Sequence, residues 1–175
     1  WSSDVCSSDL VIENMLGMSY DKPVRHLREC LSVLMPLSRN EAASFAGETY
    51  SVHGGIAAKG SSGFGVVVAA LGEQMLRVTA AMADGTLTWC TGPSTLAGHT
   101  IPTINRAADE LGRPAPRVIA ALPVCVTQDK EAAAARAAKV FAVYGTLPSY
   151  RAMLDKEGAA GPADIAITGS VAEVQ

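Results

Sequence analysis

Residues 66–93 read VVVAALGEQMLRVTAAMADGTLTWCTGP, and the period of this stretch changes twice. Residues 66–70 form a wholly apolar run, as expected of a strand buried on both faces. From Gly72 to Ala83 the pattern becomes helical, with Met75, Leu76, Thr79 and Ala80 on one side. Asp84-Gly85 turns the chain. Residues 86–90, TLTWC, return to a strand, and Thr91-Gly92-Pro93-Ser94 opens a second helix that Gly112 ends. A strand, a helix and a second strand in so few residues define a parallel unit with a right-handed crossover.

The alternation continues downstream. VIAALPVCV, residues 118–126, is a third strand whose Pro123 implies a bend or an unpaired position. Residues 128–144 are an alanine-rich helix, and LPSYRAMLDKEG adds another. Residues 165–167 are a fourth strand, and Ser170 with Glu173 forms a capping box for a further helix. Upstream, Asp21-Lys22-Pro23 starts a helix with Asp21 as its cap and Pro23 in the first turn. Val24, Leu27, Cys30, Leu31, Leu34 and Leu37 form its apolar face, and Arg25, His26, Arg28 and Glu29 fall on the solvated side. SFAGETYSVHG is read as a hairpin turning near Gly47, and GGIAAKGSSGFG as a glycine-rich loop that does not match a phosphate-binding P-loop.

Both a doubly wound sheet and part of an eight-stranded α/β barrel fit this order. The dinucleotide fingerprint G-x-G-x-x-G is missing after the first strand, which favours the barrel.

Composition narrows the function. The chain has 175 residues, 49% of them hydrophobic, and a net charge of −3, so it is expected to be globular. It has no basic stripe for nucleic acid and no polybasic patch for a membrane. Its longest apolar run is far short of the roughly 20 residues of a spanning helix. Cys6, Cys30, Cys90 and Cys125 form no C-x-x-C pair, and His26, His53 and His99 are far apart in sequence. The cysteines are therefore read as small buried side chains in a reducing compartment, the cytoplasm, and no metal site is expected.

WSSDVCSSDL, residues 1–10, has neither helical nor strand periodicity and lacks the regions of a secretory signal. It looks like a translated sequencing adapter and is taken as foreign, leaving 11–175 as the native domain. Without Asp4 and Asp9 the balance is 14 basic against 15 acidic residues.

Ligands of parallel α/β folds bind beyond the carboxyl ends of the strands. Two such ends here place a small residue where a helix begins: Ala70-Leu71-Gly72 and Cys90-Thr91-Gly92-Pro93. Exposed N–H groups and the positive helix end suit a phosphate there. No nucleophile–base pair, G-x-S-x-G or H-E-x-x-H is present. Asp84, at a turn, is read as structural at least as readily as functional, Trp89 as core, and Tyr144 and Tyr150 as packing residues. A chain without acid–base machinery of its own needs a cofactor for its chemistry.

VIENMLGMSYDKPVRHLRECLSVLMPL, VVVAALGEQMLRVTAAMADGTLTWCTGPSTLAGHTIPT, LPVCVT and VYGTLPSYRAMLDKEGAAGPADIAITG together resemble the luciferase-like monooxygenase family, in its subgroup of coenzyme F420-dependent oxidoreductases. The resemblance covers nearly all of residues 11–175. It implies the C-terminal portion of a TIM (β/α)8 barrel, with further strands upstream and a final strand or helices downstream. It implies hydride transfer between coenzyme F420 and a small organic substrate, or a monooxygenase reaction with FMN as the alternative cofactor. It places Ala70, Leu71, Gly72 and Gln74 near the cofactor's phosphate or polyol tail, with Thr91, Gly92 and Pro93 on the next loop. No residue is assigned as acid or base.

Relatives usually carry proline where Glu73 stands; a carboxylate there suits the helix but repels a phosphate unless turned outward. An alternative of another class is a partial domain that binds no cofactor. The Leu27/Leu31/Leu34 face serves the core or, as the second option, a homodimer contact.

Overall fold

The computed structural model describes residues 13, 16–17, 19–56 and 59–175. The decapeptide at residues 1–10 lies outside the described residues. Helix α1 (Pro23–Ser38) leads to a hairpin of β1 (Ala43–Ala46) and β2 (Ser51–Gly54). Then come β3 (Val67–Val68), α2 (Glu73–Met82), β4 (Gly85–Trp89), a helical turn α3 (Pro93–Thr95), a π-helical turn (Leu96–Thr100) and α4 (Ile101–Glu110). The C-terminal part holds β5 (Arg117–Ala121), β6 (Val124–Val126), α5 (Lys130–Val140), α6 (Pro148–Glu157), β7 (Ile167–Gly169) and α7 (Val171–Val174). Two 3-10 turns, Ala142–Gly145 and Pro162–Ile165, flank α6.

All pairings outside the β1–β2 hairpin are parallel: β3 with β4, β4 with β5, and β6 with β7. The third strand read from sequence is interrupted at Leu122-Pro123. Its first half, β5, pairs with β4 as far as Ala121, and its second half, β6, pairs with β7. Proline has no N–H for the ladder, but the Pro123 carbonyl still accepts from Ile167 at 2.9 Å.

The fourth strand lies two residues later than expected. Asp164 accepts the backbone N–H groups of Ala160 (2.7 Å) and Gly161 (3.1 Å), and this holds Pro162–Ile165 in a 3-10 turn. The first strand shortens to Val67–Val68, which pairs on one side only.

One face of the sheet packs against helices. Val68, Thr86 and Val118 stand in register, and Val68 and Val118 meet a core of Met75, Leu76, Ile104 and Ala108. Leu31, Met35, Val66, Val78 and Ala83 extend that core. Leu31 is buried, with Leu27 and Leu34 half-buried against the core, so the apolar face of α1 packs inside its own chain. The other face of the β3–β4–β5 sheet is open, with Val67 (42%) and Leu87 (40%) exposed, and in the separate β6–β7 sheet Val124 (56%), Val126 (56%) and Ile167 (40%) are exposed as well. A doubly wound sheet would cover both faces.

Three local expectations are corrected. Asp21 does not cap α1; Lys22 occupies the cap with φ 56° and no side-chain capping bond, and Asp21 accepts from the Ser19 hydroxyl at 2.8 Å. Cys125 is exposed, whereas Cys90 is buried and Cys30 half-buried, all three as free thiols.

The third correction is to Glu29, which is buried instead of solvated. Its carboxylate accepts the backbone N–H groups of Glu48 (3.1 Å), Thr49 (2.7 Å) and Tyr50 (3.1 Å) in the hairpin turn. His26, on the same side, stacks on Tyr50 and bonds its hydroxyl at 2.9 Å. The Thr49 N–H holds the Glu29 carboxyl below its usual pKa; burial opposes this, and Tyr50 and Glu48 reinforce it. The hairpin is pinned to α1 by a charge-assisted contact that a Cβ at Gly47 would meet at 2.6 Å.

Candidate functional site

The carboxyl ends of β3 and β4 lie side by side, and both loops read as candidate sites occupy them. In the first, Ala70, Leu71 and Gly72 are buried and Gln74 is exposed. The Thr86 hydroxyl lies 3.3 Å from the Ala70 N–H, which donates to it, and 2.9 Å from the Val68 carbonyl. The Leu71 carbonyl accepts from His99 at 3.0 Å. Gly72 opens α2 with extended backbone and no side-chain cap. Glu73 is turned along the helix, where Arg77 holds it through Nε (3.1 Å) and Nη2 (2.9 Å). Its negative charge is thus paired away from the helix start, which meets the outward-turned condition set by the sequence.

The second loop is built differently. Thr91 and Gly92 are buried and Pro93 is exposed. The Glu157 carboxylate, from the end of α6, accepts the N–H groups of Ser94 (3.1 Å) and Thr95 (2.7 Å). An internal anion therefore sits where the sequence suggested a phosphate. Burial pushes the Glu157 pKa up, but the Thr95 and Ser94 donors outweigh it and hold the carboxyl below its usual value. A Cβ on Gly92 would fall 2.2 Å from the Glu157 carboxyl carbon, so glycine is required for this approach.

Cys90, between β4 and this loop, is fully buried with φ 51°, and burial raises its thiol pKa to about 11. A thiol so protonated is no nucleophile near neutrality. Trp89 packs edge-on against Phe141 (5.6 Å between ring centroids) and Tyr144 (6.0 Å), and Tyr144 packs against Tyr150 (5.0 Å). Its indole N–H is buried with no partner among the described residues.

Asp84 lies at the opposite, amino end of the strands. Its carboxylate accepts from Val66 N–H at 2.7 Å, its N–H donates to the Val66 carbonyl, and its carbonyl accepts from Arg117. That role is structural, as expected at the amino face of a parallel barrel. Among the described residues no cluster of three His, Cys, Asp or Glu side chains is placed to hold a metal, and no helix is long and apolar enough to cross a membrane.

Sequence reasoning placed the two loops and missed Glu157 and His99. Each joins residues distant in the chain, so neither leaves a periodic signal.

A parallel arc with helices on one face, an open apolar face on the other and helix starts at its carboxyl rim describes part of an α/β barrel. The chain belongs to the luciferase-like monooxygenase family, whose model matches residues 5–171. A protein of Archaeoglobus fulgidus described as 5,10-methylenetetrahydromethanopterin reductase is 25% identical over 156 residues, covering 87% of this chain and 46% of the relative.

Two solved structures share the fold. An F420-dependent secondary alcohol dehydrogenase in complex with an F420–acetone adduct superposes with a TM-score of 0.67 at 18% identity, over 93% of this chain and 54% of that one. The coenzyme F420-dependent tetrahydromethanopterin reductase of Methanopyrus kandleri gives 0.62 at 17% identity, over 84% and 47%. The chain thus spans about half the length of the proteins it matches, and its parallel strands form an arc of a luciferase-like TIM barrel.

Proposed function

We propose that this chain is the cofactor-tail-binding arc of an oxidoreductase that uses coenzyme F420 and acts on a small organic molecule. One observation carries the reading: Gly72, which has no side chain to cap it, opens α2 at the carboxyl rim, and the neighbouring Glu73 carboxylate is turned onto Arg77. A helix start so arranged attracts an anion. Ala70, Leu71, Gly72 and Gln74 would hold the phosphate-bearing tail. Thr91, Gly92 and Pro93 would form the adjoining wall, with Ser94 and Thr95 N–H already engaged by Glu157.

When bound, the deazaflavin supplies the hydride chemistry. The chain's own contribution is to grip the tail, orient the ring and exclude water. The names of the relatives favour F420 over FMN. Residues 11–175 are read as the native domain, and strands upstream of it would close the ring over Val67, Leu87, Val124, Val126 and Ile167, side chains that a barrel interior buries in layers.

Titration by fluorescence tests the cofactor. F420 is expected to saturate one site at least about tenfold more tightly than FMN, a gap of about 1.4 kcal/mol. Tighter binding of FMN would replace the reading with a flavin monooxygenase. Binding of neither would support the partial domain without cofactor.

A further inference from the structure

The helical segment after β4 is irregular at one place. Residues Leu96–Thr100 form a π-helical turn between α3 and α4. Such turns are rare and recur at functional sites because they re-aim the side chains they carry. Here the turn carries His99, which is half-buried, and its Nε2 lies 3.0 Å from the Leu71 carbonyl. A carbonyl only accepts, so the imidazole donates through Nε2.

The Leu71 carbonyl belongs to the same rigid peptide plane as the Gly72 N–H. The bond from His99 therefore fixes the orientation of the peptide that leads into α2. On the other side, Thr86 of β4 holds the Ala70 N–H at 3.3 Å. The loop between β3 and α2 is thus gripped twice from the β4 unit, once by the strand and once by the helix that follows it.

We infer that His99 is a positioning residue: it sets the plane of the 71–72 peptide and so aims the N–H groups at the start of α2, and the π-turn gives its ring that reach. The ligand half of this inference rests on the F420 reading; the geometric half does not.

The test compares His99→Ala and His99→Gln in the chain preceded by its upstream reading frame. Without ligand, amide hydrogen exchange at Ala70 and Leu76, bonded to Thr86 and Gly72, is expected to accelerate about tenfold in His99→Ala. Ala83, bonded to Thr79 at the far end of α2, should stay within about twofold. His99→Gln, whose amide also donates, should restore most of the protection.

With ligand, His99→Ala should bind F420 about tenfold more weakly and leave unchanged the affinity for the deazaflavin lacking its phosphate tail. Unchanged exchange at Ala70 and Leu76, a rise that includes Ala83 equally, or equal weakening of both ligands would each overturn the inference. A wild-type chain that binds neither ligand would remove the F420 reading and leave exchange to decide the positioning role.

Discussion

Gly85→Ala is expected to be the most damaging glycine-to-alanine change among the described residues. The added Cβ would fall 2.3 Å from the Arg117 carbonyl oxygen and 3.0 Å from the Arg117 Cβ. Gly85 and Arg117 are directly paired in the β4–β5 ladder, so the collision is with the central strand's own neighbour and no flexible side-chain end can give way. Relief requires β4 and β5 to separate at their amino ends. There Asp84 also ties Val66 and Arg117 together through three hydrogen bonds, two of its backbone and one of its carboxylate.

Overpacking of this kind costs about 3 kcal/mol, a large fraction of the total stability of a small domain. Urea denaturation of the chain preceded by its upstream reading frame, followed by far-ultraviolet circular dichroism, should show the midpoint fall sharply at unchanged slope. Gly98→Ala, where a Cβ meets nothing within 4 Å, is the matched control and should leave the midpoint nearly unchanged.

The second large effect is expected at Glu157. Removing its carboxylate leaves Ser94 and Thr95 N–H without their acceptor and frees the end of α6 from the start of α3. Loss of such a helix-start acceptor costs about 1–2 kcal/mol, so Glu157→Ala should lower stability by that order near neutral pH.

The pH dependence has a definite sign. The folded-state pKa of Glu157 lies below its usual value, so the unfolded chain takes up the proton first as pH falls. The stabilisation is fully present above the ordinary carboxylate pKa and is lost as pH drops through the lowered folded value. Stability curves of the parent and of Glu157→Ala should therefore converge in acid and diverge toward neutrality. A constant difference across that range would show that packing, and not the charged contact, carries the effect. The substitution also removes the atom that a Cβ on Gly92 would strike, so Gly92→Ala should be better tolerated in the Glu157→Ala background than alone.

Much of the fold was legible because its elements are locally consistent. The 66–93 stretch changes from strand to helix and back within units that each bury one apolar face, and Pro123 marks the interruption between β5 and β6 that the pairings contain. The capping box at Ser170 was readable for the same reason: Glu173 accepts both the N–H and the hydroxyl of a residue three positions away.

What escaped was long-range and polar. Glu29 sits among charged residues on a helix side that reads as solvated, yet it is buried by a hairpin turn about twenty residues away. Glu157 closes the LPSYRAMLDKEG helix without any signal of a distant partner, yet it reaches across 63 positions to Ser94. His99 depends on an irregular turn that no hydrophobic period encodes. The candidate loops were found from strand ends and glycines. The difference between them, Glu73 turned onto Arg77 beside one helix start and Glu157 engaging the N–H groups of the other, required the tertiary structure.

The central claim is that these strands are an arc whose open face belongs inside a larger ring. Its most direct test is the fluorescence of a hydrophobic dye added to residues 11–175 alone and to the same residues preceded by the upstream reading frame of their source DNA. Strong dye binding by the first and little by the second is the expected result, because the upstream strands would cover Val67, Leu87, Val124, Val126 and Ile167. A dye-silent monomer that unfolds cooperatively from residues 11–175 alone would contradict the account.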